Sequence, residues 1–133
     1  MHKLDRERVP APACLATHDW HRETWDAVSP AEKQEITAAL KGMQGDLCAY
    51  CECSIDDPGG HIEHFRRKNA AHFPSLTFEW TNLFRSCNAA RHCGRFKDRP
   101  GADSYDADAL IKPDADDPDR FLYFHSTDRK SVV

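Results

Sequence analysis

The chain has 133 residues, 40% of them hydrophobic and 30% charged, which fits one folded domain with small appendages at most. Its net charge of -4 argues against a generally basic nucleic-acid binder, and no apolar run approaches the roughly 18 residues of a membrane helix. The mean hydropathy of -0.72 predicts a thin apolar core, which bound metal commonly supplements in small domains.

The start of the chain contains no apolar stretch behind its charged residues. We therefore expect no secretory signal and a cytoplasmic location. Cysteines stay reduced in that compartment and bind metal more often than they form disulfides.

The first 46 residues are predicted as an extension with one helix, over about 30–44. Ser29 can cap this helix, Pro30 suits its first turn, and Glu32 completes a capping box. An apolar stripe of Ile36, Leu40 and Met43 follows, and glycines end the helix.

Residues 47–99 are predicted as a module in which two strands precede a helix. His61–Phe65 reads as a strand, Thr77–Trp80 as a second extended piece, and residues 88–99 as a short helix that Pro100 stops. The acidic tail, 100–133, is predicted as a β-hairpin-like cover on one side of the module, built from Ala109–Ile111 and Phe121–Phe124. The expected fold class is α+β.

The spacing of the cysteines predicts a metal centre. Cys48 and Cys51 are two residues apart, so that both thiolates can reach one ion from a single turn. The second pair has five intervening residues, which need a small outward loop. We expect structural Zn²⁺ bound by Cys48, Cys51, Cys87 and Cys93, with His92 as a rival fourth ligand and Cys53 as a weaker one.

Two other uses of these cysteines are less compatible with the sequence. A thioredoxin-like redox pair requires a helix starting at the CxxC motif, whereas Pro58, Gly59 and Gly60 follow here. Disulfides would be expected in a secreted chain.

A second cluster of metal-binding residue types lies in His61-Ile-Glu-His64. His61 and His64 are at positions i and i+3, whereas helical metalloproteases have their histidines at i and i+4. The apolar residues interleaved with the histidines favour a strand. In a strand, His61 and Glu63 point to one side and His64 to the other. Glu63 and His64 can share a site only where the strand ends or opens.

Basic residues concentrate around these clusters. Residues 64–100 contain eight Lys or Arg, whereas 101–133 contain eight Asp. Such a positive field suits a phosphate backbone, although a solvated surface would give the same pattern. The side chains that could bind flanking phosphates are Arg66, Arg91, Arg95 and Lys97.

Residues 48–98 resemble the HNH endonucleases, also called ββα-metal nucleases. They are most similar to the HNH subunits of bacterial Septu-type and retron-associated anti-phage systems. The residues that carry the resemblance are Cys48-Ala-Tyr-Cys51-Glu, His61-Ile-Glu-His64-Phe-Arg, Phe78-Glu-Trp-Thr-Asn82-Leu-Phe, Ser86-Cys87 and His92-Cys93-Gly-Arg-Phe-Lys97-Asp98. The chain departs from the family at Arg67, where relatives often have Pro, and at Gly94, where many have Asn or His.

The resemblance implies a role for each matching residue. His64 resembles the general base that activates water, Glu63 the acidic metal ligand before it, and Asn82 the residue whose amide fixes the loop at the strand end. Because Gly94 cannot bind a metal, Asp98, one helical turn further on, is the expected remaining ligand, with His61 as the fallback.

The expected function is metal-dependent endonuclease cleavage of DNA as the effector of an anti-phage defence system. A neutral imidazole can accept a proton from water, and Mg²⁺ or Mn²⁺ suits carboxylate oxygens. RNA cleavage, with tRNA as the target, and a non-catalytic zinc-stabilised adaptor that binds nucleic acid or protein are the alternatives. The resemblance implies an ATPase partner; a retron reverse transcriptase with its multicopy DNA is a further candidate.

Overall fold

Two helices and two small antiparallel sheets form the regular structure of residues 1–55, 59–124 and 131–132, the part of the chain that this computed structural model describes. Helix α1 spans Pro30–Gln44, strand β1 Gly60–His64, strand β2 Leu83–Cys87, and helix α2 Cys93–Lys97. Strands β3, Tyr123–Phe124, and β4, Ser131–Val132, follow in the tail. The α+β fold class is confirmed.

Helix α1 begins and ends where the sequence predicts. The Ser29 hydroxyl accepts a hydrogen bond from the Glu32 backbone, and the Glu32 carboxylate accepts one from the Ser29 backbone, so the capping box is complete. Gly45 ends the helix with φ of 65°, a conformation that favours glycine. The predicted apolar stripe is buried, with Ile36 and Leu40 at 0% exposure.

The central sheet pairs β1 with β2 in antiparallel register, with Gly60 opposite Cys87 and His64 opposite Leu83. The prediction of a second strand at Thr77–Trp80 was wrong. That region forms 3₁₀ turns at Pro74–Leu76 and Trp80–Asn82. All five residues of β2 are buried, so its sequence lacks the alternation that marks a strand with one exposed face.

Helix α2 is shorter than the predicted 88–99. Residues 88–92 form the loop between the two cysteines, and the helix covers only Cys93–Lys97. The loop is needed because Cys87 ends a strand and Cys93 starts the helix that packs beside it.

The tail also differs from its prediction. Strand β3 pairs with β4, and Ala109–Ile111 is not a strand. A 3₁₀ turn ends at Ala109, Leu110 packs against the core, and Pro113 is buried and lacks the N–H that a sheet ladder requires. The tail nevertheless contacts the rest of the chain, since Leu4 donates its N–H to the Pro113 carbonyl.

One apolar core joins the N-terminal extension to the central sheet. It includes Leu15 and Val28 of the extension, Leu40 of α1, and Leu83 and Phe84 of β2. The Gln44 side chain extends this contact by bonding both the N–H and the carbonyl of Arg85, at 2.8 and 3.0 Å. Helix α1 and the N-terminal extension thus pack on the sheet, and helix α2 packs on β2 as well. None of the helices in the described part of the chain is long and apolar enough to span a membrane.

Candidate active site and metal centre

Four cysteines converge between the central sheet and α2. Their Sγ atoms all lie within 4.8 Å of one another, close enough to hold one metal ion. Cys48 and Cys51 belong to the turn after α1, Cys87 ends β2, and Cys93 begins α2. Within residues 1–55, 59–124 and 131–132, no other group of three or more His, Cys, Asp or Glu side chains is so arranged.

The donors of this four-cysteine cluster fit a tetrahedral ion. The Sγ atoms of Cys51 and Cys87 are 3.8 Å apart, the edge of a tetrahedron whose metal–sulfur bonds are about 2.3 Å. The Cys87 N–H points at the Cys48 sulfur over 3.4 Å. A hydrogen bond from Cys93 lowers the pKa of the Cys48 thiol to about 3, and the same hydrogen bond raises the pKa of the Cys93 thiol, so the two sulfurs share one proton when no metal ion is bound. A thiolate is the form that binds metal.

The rival ligands lie outside the cluster. His92 is exposed, and its Nδ1 is 3.1 Å from the Cys93 sulfur, where it can donate a hydrogen bond to a thiolate. Cys53 is exposed and is not in the group of four. The predicted set with Cys93 as fourth member is thus the one that assembles.

Gly94 brings the four-cysteine cluster against the second cluster, that of His61, Glu63 and His64. A Cβ at this position would lie within 3.0 Å of both Glu63 carboxylate oxygens. The Gly94 N–H also donates to the Ser86 hydroxyl over 3.2 Å, which ties the start of α2 to β2. Because Gly94 has no side chain, the Glu63 carboxylate packs directly on the helix.

His64 is buried at the end of β1, with 5% of its surface exposed. Its Nε2 is 3.0 Å from the Thr77 carbonyl oxygen, which can only accept, so Nε2 carries the proton and Nδ1 keeps its lone pair. The Trp25 ring packs edge-on against the imidazole at 4.5 Å between centroids. Burial lowers the pKa of His64 to about 3, so the ring is neutral at neutral pH.

Glu63 and His61 lie side by side, as expected for one face of a strand. The Glu63 Oε2 is 3.4 Å from the His61 Nε2. The Asn88 amide donates to Gly59 and accepts from His61 Nδ1 at 3.0 Å, so Nε2 of a neutral His61 keeps its lone pair toward Glu63. The other Glu63 oxygen is buried and has no hydrogen bond, although it forms an ion pair with Lys97.

Lys97 and Asp98 are both engaged in ion pairs. Lys97 is one of the four predicted phosphate contacts; its side chain is 13% exposed, and its Nζ contacts Glu63 and Asp98. Burial lowers the pKa of Lys97, but the carboxylates raise it more, so the ammonium stays charged. Asp98 also accepts a hydrogen bond from Arg67 at 2.9 Å and one from Tyr105 at 3.2 Å.

The Asn82 side chain fixes the loop that follows β1. Its oxygen accepts from the Arg66 N–H at 2.8 Å, and its nitrogen donates to the Arg66 and Leu76 carbonyls at 3.0 and 3.1 Å. Asn82 is 3% exposed. The amide therefore sets where β1 ends, directly beside His64.

An open cleft of about 810 Å³ runs past these residues. His61, Glu63, His64 and Asp98 line it, so the end of β1 brings Glu63 and His64 to one space. Of the four predicted phosphate contacts, Arg95 lines the cleft. Arg91 is exposed but is not among the lining residues, and Arg66 pairs with Asp108 and stacks on Phe73.

Several lining residues escaped the sequence prediction. Arg67, Lys68 and Arg99 also line the cleft, and only the local excess of basic residues pointed to them. Trp25 lines it from the N-terminal extension. Nothing in the sequence around Trp25 marked it as a neighbour of His64.

The chain is similar to two proteins named Septu protein PtuB. It is 30% identical over 92 residues to the one from Bacillus thuringiensis, covering 68% of this chain and 33% of the relative. It is 29% identical over 120 residues to the one from Bacillus mycoides strain KBAB4, covering 71% of this chain and 40% of that relative. The chain therefore spans about a third to two fifths of the length of these relatives. No family model matches the chain, and no solved structure matches it.

Proposed function

We propose that this chain is a metal-dependent endonuclease of the HNH, or ββα-metal, type that hydrolyses phosphodiester bonds of DNA. The element order supports the proposal: β1, β2 and α2 follow one another around the four-cysteine cluster. The quoted HNH-like residues lie on or next to these elements, in the turn after α1, and in the segment that leads into β2. The cleft supports it as well, because Arg67, Lys68 and Arg95 line it and phosphate contacts commonly use such side chains.

The hydrogen bond from His64 to the Thr77 carbonyl is the observation that carries this proposal. It fixes the tautomer and leaves Nδ1 as the proton acceptor on a residue that lines the cleft. A general base needs an oriented lone pair within reach of water. The low pKa of the buried His64 ring keeps that lone pair available at neutral pH. The negative charge of a bound phosphate would raise this pKa toward neutrality, where a general base is more effective.

Glu63 is the proposed ligand for Mg²⁺ or Mn²⁺. Its buried Oε1 contacts the Lys97 ammonium at 3.0 Å and has no other polar partner among the described residues, so a cation already occupies the position that a metal ion would take. Asp98 would be the second carboxylate, and the His61 Nε2 beside Glu63 stays the alternative ligand. When bound, a divalent ion stabilises the charge that develops on phosphate and the leaving oxygen. Mg²⁺ commonly uses one or two carboxylates and retains water, so three converging protein ligands are not required.

Zinc is the proposed occupant of the four-cysteine cluster. Four thiolates in a tetrahedron suit zinc, and an ion there would join the turn after α1 to the start of α2. Glu63 lies directly against that start, at Gly94. Zinc would thus position the carboxylate side of the cleft without taking part in cleavage.

The similarity to Septu proteins PtuB supports placing this nuclease in a Septu-type anti-phage defence system. An ATPase subunit is the proposed partner, on the resemblance of the HNH-like residues. A retron reverse transcriptase with its multicopy DNA stays a prediction of that resemblance alone.

Cleavage of labelled nucleic acids tests the proposed function. Zinc-loaded protein is incubated with supercoiled plasmid, linear duplex DNA, and tRNA, each with Mg²⁺ or Mn²⁺ and again with EDTA. We expect nicked or cut DNA that depends on the added divalent ion. Cleavage of tRNA alone would move the substrate from DNA to RNA. Binding without cut products under every condition would support the adaptor and contradict a nuclease.

A further inference from the structure

The Lys97 ammonium lies at the centre of a group of oxygen atoms. Its Nζ is 3.0 Å from Glu63 Oε1 and 2.8 and 2.9 Å from the two carboxylate oxygens of Asp98. The His64 carbonyl at 3.1 Å and the Tyr105 hydroxyl at 3.2 Å complete the group. An ammonium has three N–H donors and cannot bond all of these oxygens at once.

This oxygen group has the composition of a site for a hard divalent cation. Carboxylate and carbonyl oxygens are the ligands that such ions take. The two carboxylates contribute two negative charges, which the Lys97 ammonium and the Arg67 guanidinium, paired with Asp98 at 2.9 Å, balance in the absence of a metal ion. The Glu63 oxygen that faces Lys97 is held by the ion pair at 3.0 Å and by no hydrogen bond of good geometry from the described residues.

We propose that Lys97 and the divalent ion are alternative occupants of this position, so that the metal binds only as the Lys97 ammonium leaves it. The inference rests on the proposed function for the kind of ion and for Glu63 as its ligand. Two cations about 3 Å apart would repel strongly in a site of this burial. The present spacing near 3 Å suits an ammonium, whereas Mg²⁺ would draw its oxygens to about 2.1 Å.

On metal binding, the Lys97 ammonium would move into the adjacent cleft. The lysine stem is flexible, and the cleft that Glu63 lines also contains Arg95 and Arg99. A Lys97 side chain rotated into this cleft would meet a phosphate that the metal also contacts. Until then it keeps Glu63 and Asp98 together, although two carboxylates alone would repel each other. Lys97 is therefore a positioning residue, and its contact with substrate follows metal binding.

Metal affinity of Lys97 variants tests the competition without measuring cleavage. Mn²⁺ binding to zinc-loaded protein is followed by electron paramagnetic resonance for wild type, Lys97→Met and the charge-retaining control Lys97→Arg. We expect Lys97→Met to bind Mn²⁺ about tenfold more tightly and Lys97→Arg to remain within about threefold of wild type. Glu63→Gln should weaken binding in both backgrounds. Equal or weaker binding by folded Lys97→Met would overturn the proposal.

A second measurement uses the wild-type protein and avoids any folding defect of the variant. The side-chain ¹⁵N resonance of Lys97 is followed by NMR during Mg²⁺ titration. The chemical shift of this resonance should move to that of a mobile lysine, with the same midpoint as Mg²⁺ binding. A chemical shift that stays unchanged at saturating Mg²⁺ would contradict the displacement of Lys97 by the metal. Metal-dependent cleavage with unchanged Lys97 resonances would remove this inference alone. Absence of both metal binding and cleavage would remove the proposed function with it.

Discussion

The Cα of Gly94 lies against the carboxylate of Glu63, with no room for a Cβ between them. The contact joins helix α2, which starts at Cys93, to the strand that carries His64. It also explains the glycine at position 94, because a side chain there would overlap the Glu63 carboxylate. Residue 94 provides space for a carboxylate from the neighbouring strand.

Gly94→Ala should therefore displace Glu63. We expect overpacking to cost about 1–3 kcal/mol of unfolding free energy, and Mn²⁺ affinity to fall severalfold because the carboxylate moves. Urea unfolding and Mn²⁺ titration check these effects. The shorter carboxylate of Gly94→Ala/Glu63→Asp should recover part of the lost stability. Wild-type stability and metal affinity in Gly94→Ala would contradict this account of the contact.

The stability of the protein should depend on pH through His64. Its pKa is about 3 when folded and about 6.5 when unfolded, so the unfolded chain binds an extra proton between these values. Stability is complete above about pH 6.5 and falls toward pH 3, by up to about 1.4 kcal/mol per pH unit.

His64→Phe removes that proton uptake and is compared with wild type by urea unfolding between pH 5 and 7.5. Protonation of the cysteine cluster affects both proteins, so the difference between their slopes isolates His64. The variant should lose less stability on acidification than wild type. Parallel pH profiles would show that His64 is not held neutral by burial.

The four-cysteine cluster should determine whether the chain folds. Cys48 is 1% exposed and belongs to the cluster, whereas Cys53 is exposed and lies outside it. We expect Cys48→Ser to lose bound zinc and unfold at a much lower temperature, since metal binding and folding are coupled. Cys53→Ser should keep about one zinc per chain and its melting temperature. Elemental analysis measures the zinc content of the two variants, and thermal unfolding measures their melting temperatures. Equal zinc content and equal melting temperatures for Cys48→Ser and Cys53→Ser would argue against a metal centre in this cluster.

The Asn82 amide should stabilise the loop after β1. Asn82→Ala leaves the Arg66 N–H and two carbonyl groups without their side-chain partner, at a cost of about 2–4 kcal/mol. The neighbouring Thr81 is exposed, so Thr81→Ala is the control and should change stability little. Chemical denaturation measures both, and a cost below about 0.5 kcal/mol for Asn82→Ala would remove this structural role.

Arg95 of helix α2 and Arg91 of the loop before it should differ in how much each contributes to DNA affinity. Arg95 lines the cleft, whereas the exposed Arg91 does not. We expect Arg95→Ala to weaken DNA binding uniformly across sequences and to reduce the salt slope by about 1, as for one lost phosphate contact. Arg91→Ala should match wild type. Fluorescence anisotropy at several salt concentrations tests this, and equal losses would place the DNA elsewhere on this surface.

The parts of the fold that depend on local signals could be predicted from the sequence. The Ser29 capping box marks the start of α1, and the alternation around His61 marks β1. The proximity of the four cysteines was also predicted, because a CxxC pair needs a second pair to complete a tetrahedron.

The remainder depends on contacts between distant residues. Strand β2 is buried on both faces, so its residues do not alternate, and Thr77–Trp80 resembled a strand more closely. The inward position of Lys97 depends on Glu63, which reaches α2 only because residue 94 is glycine. In sequence, Lys97 looks like any other basic residue near a phosphate site.

The central claim is that His64 accepts the proton of the attacking water, and plasmid nicking by His64→Ala tests it most directly. Zinc-loaded wild type, His64→Ala and the exposed-histidine control His72→Ala are compared under single-turnover conditions with saturating Mg²⁺. The account predicts at least a 100-fold loss of rate for His64→Ala, the usual size of a general-base contribution of about 10²–10⁴, with zinc retained and His72→Ala unchanged. A correctly folded His64→Ala that nicks DNA at the wild-type rate would contradict it.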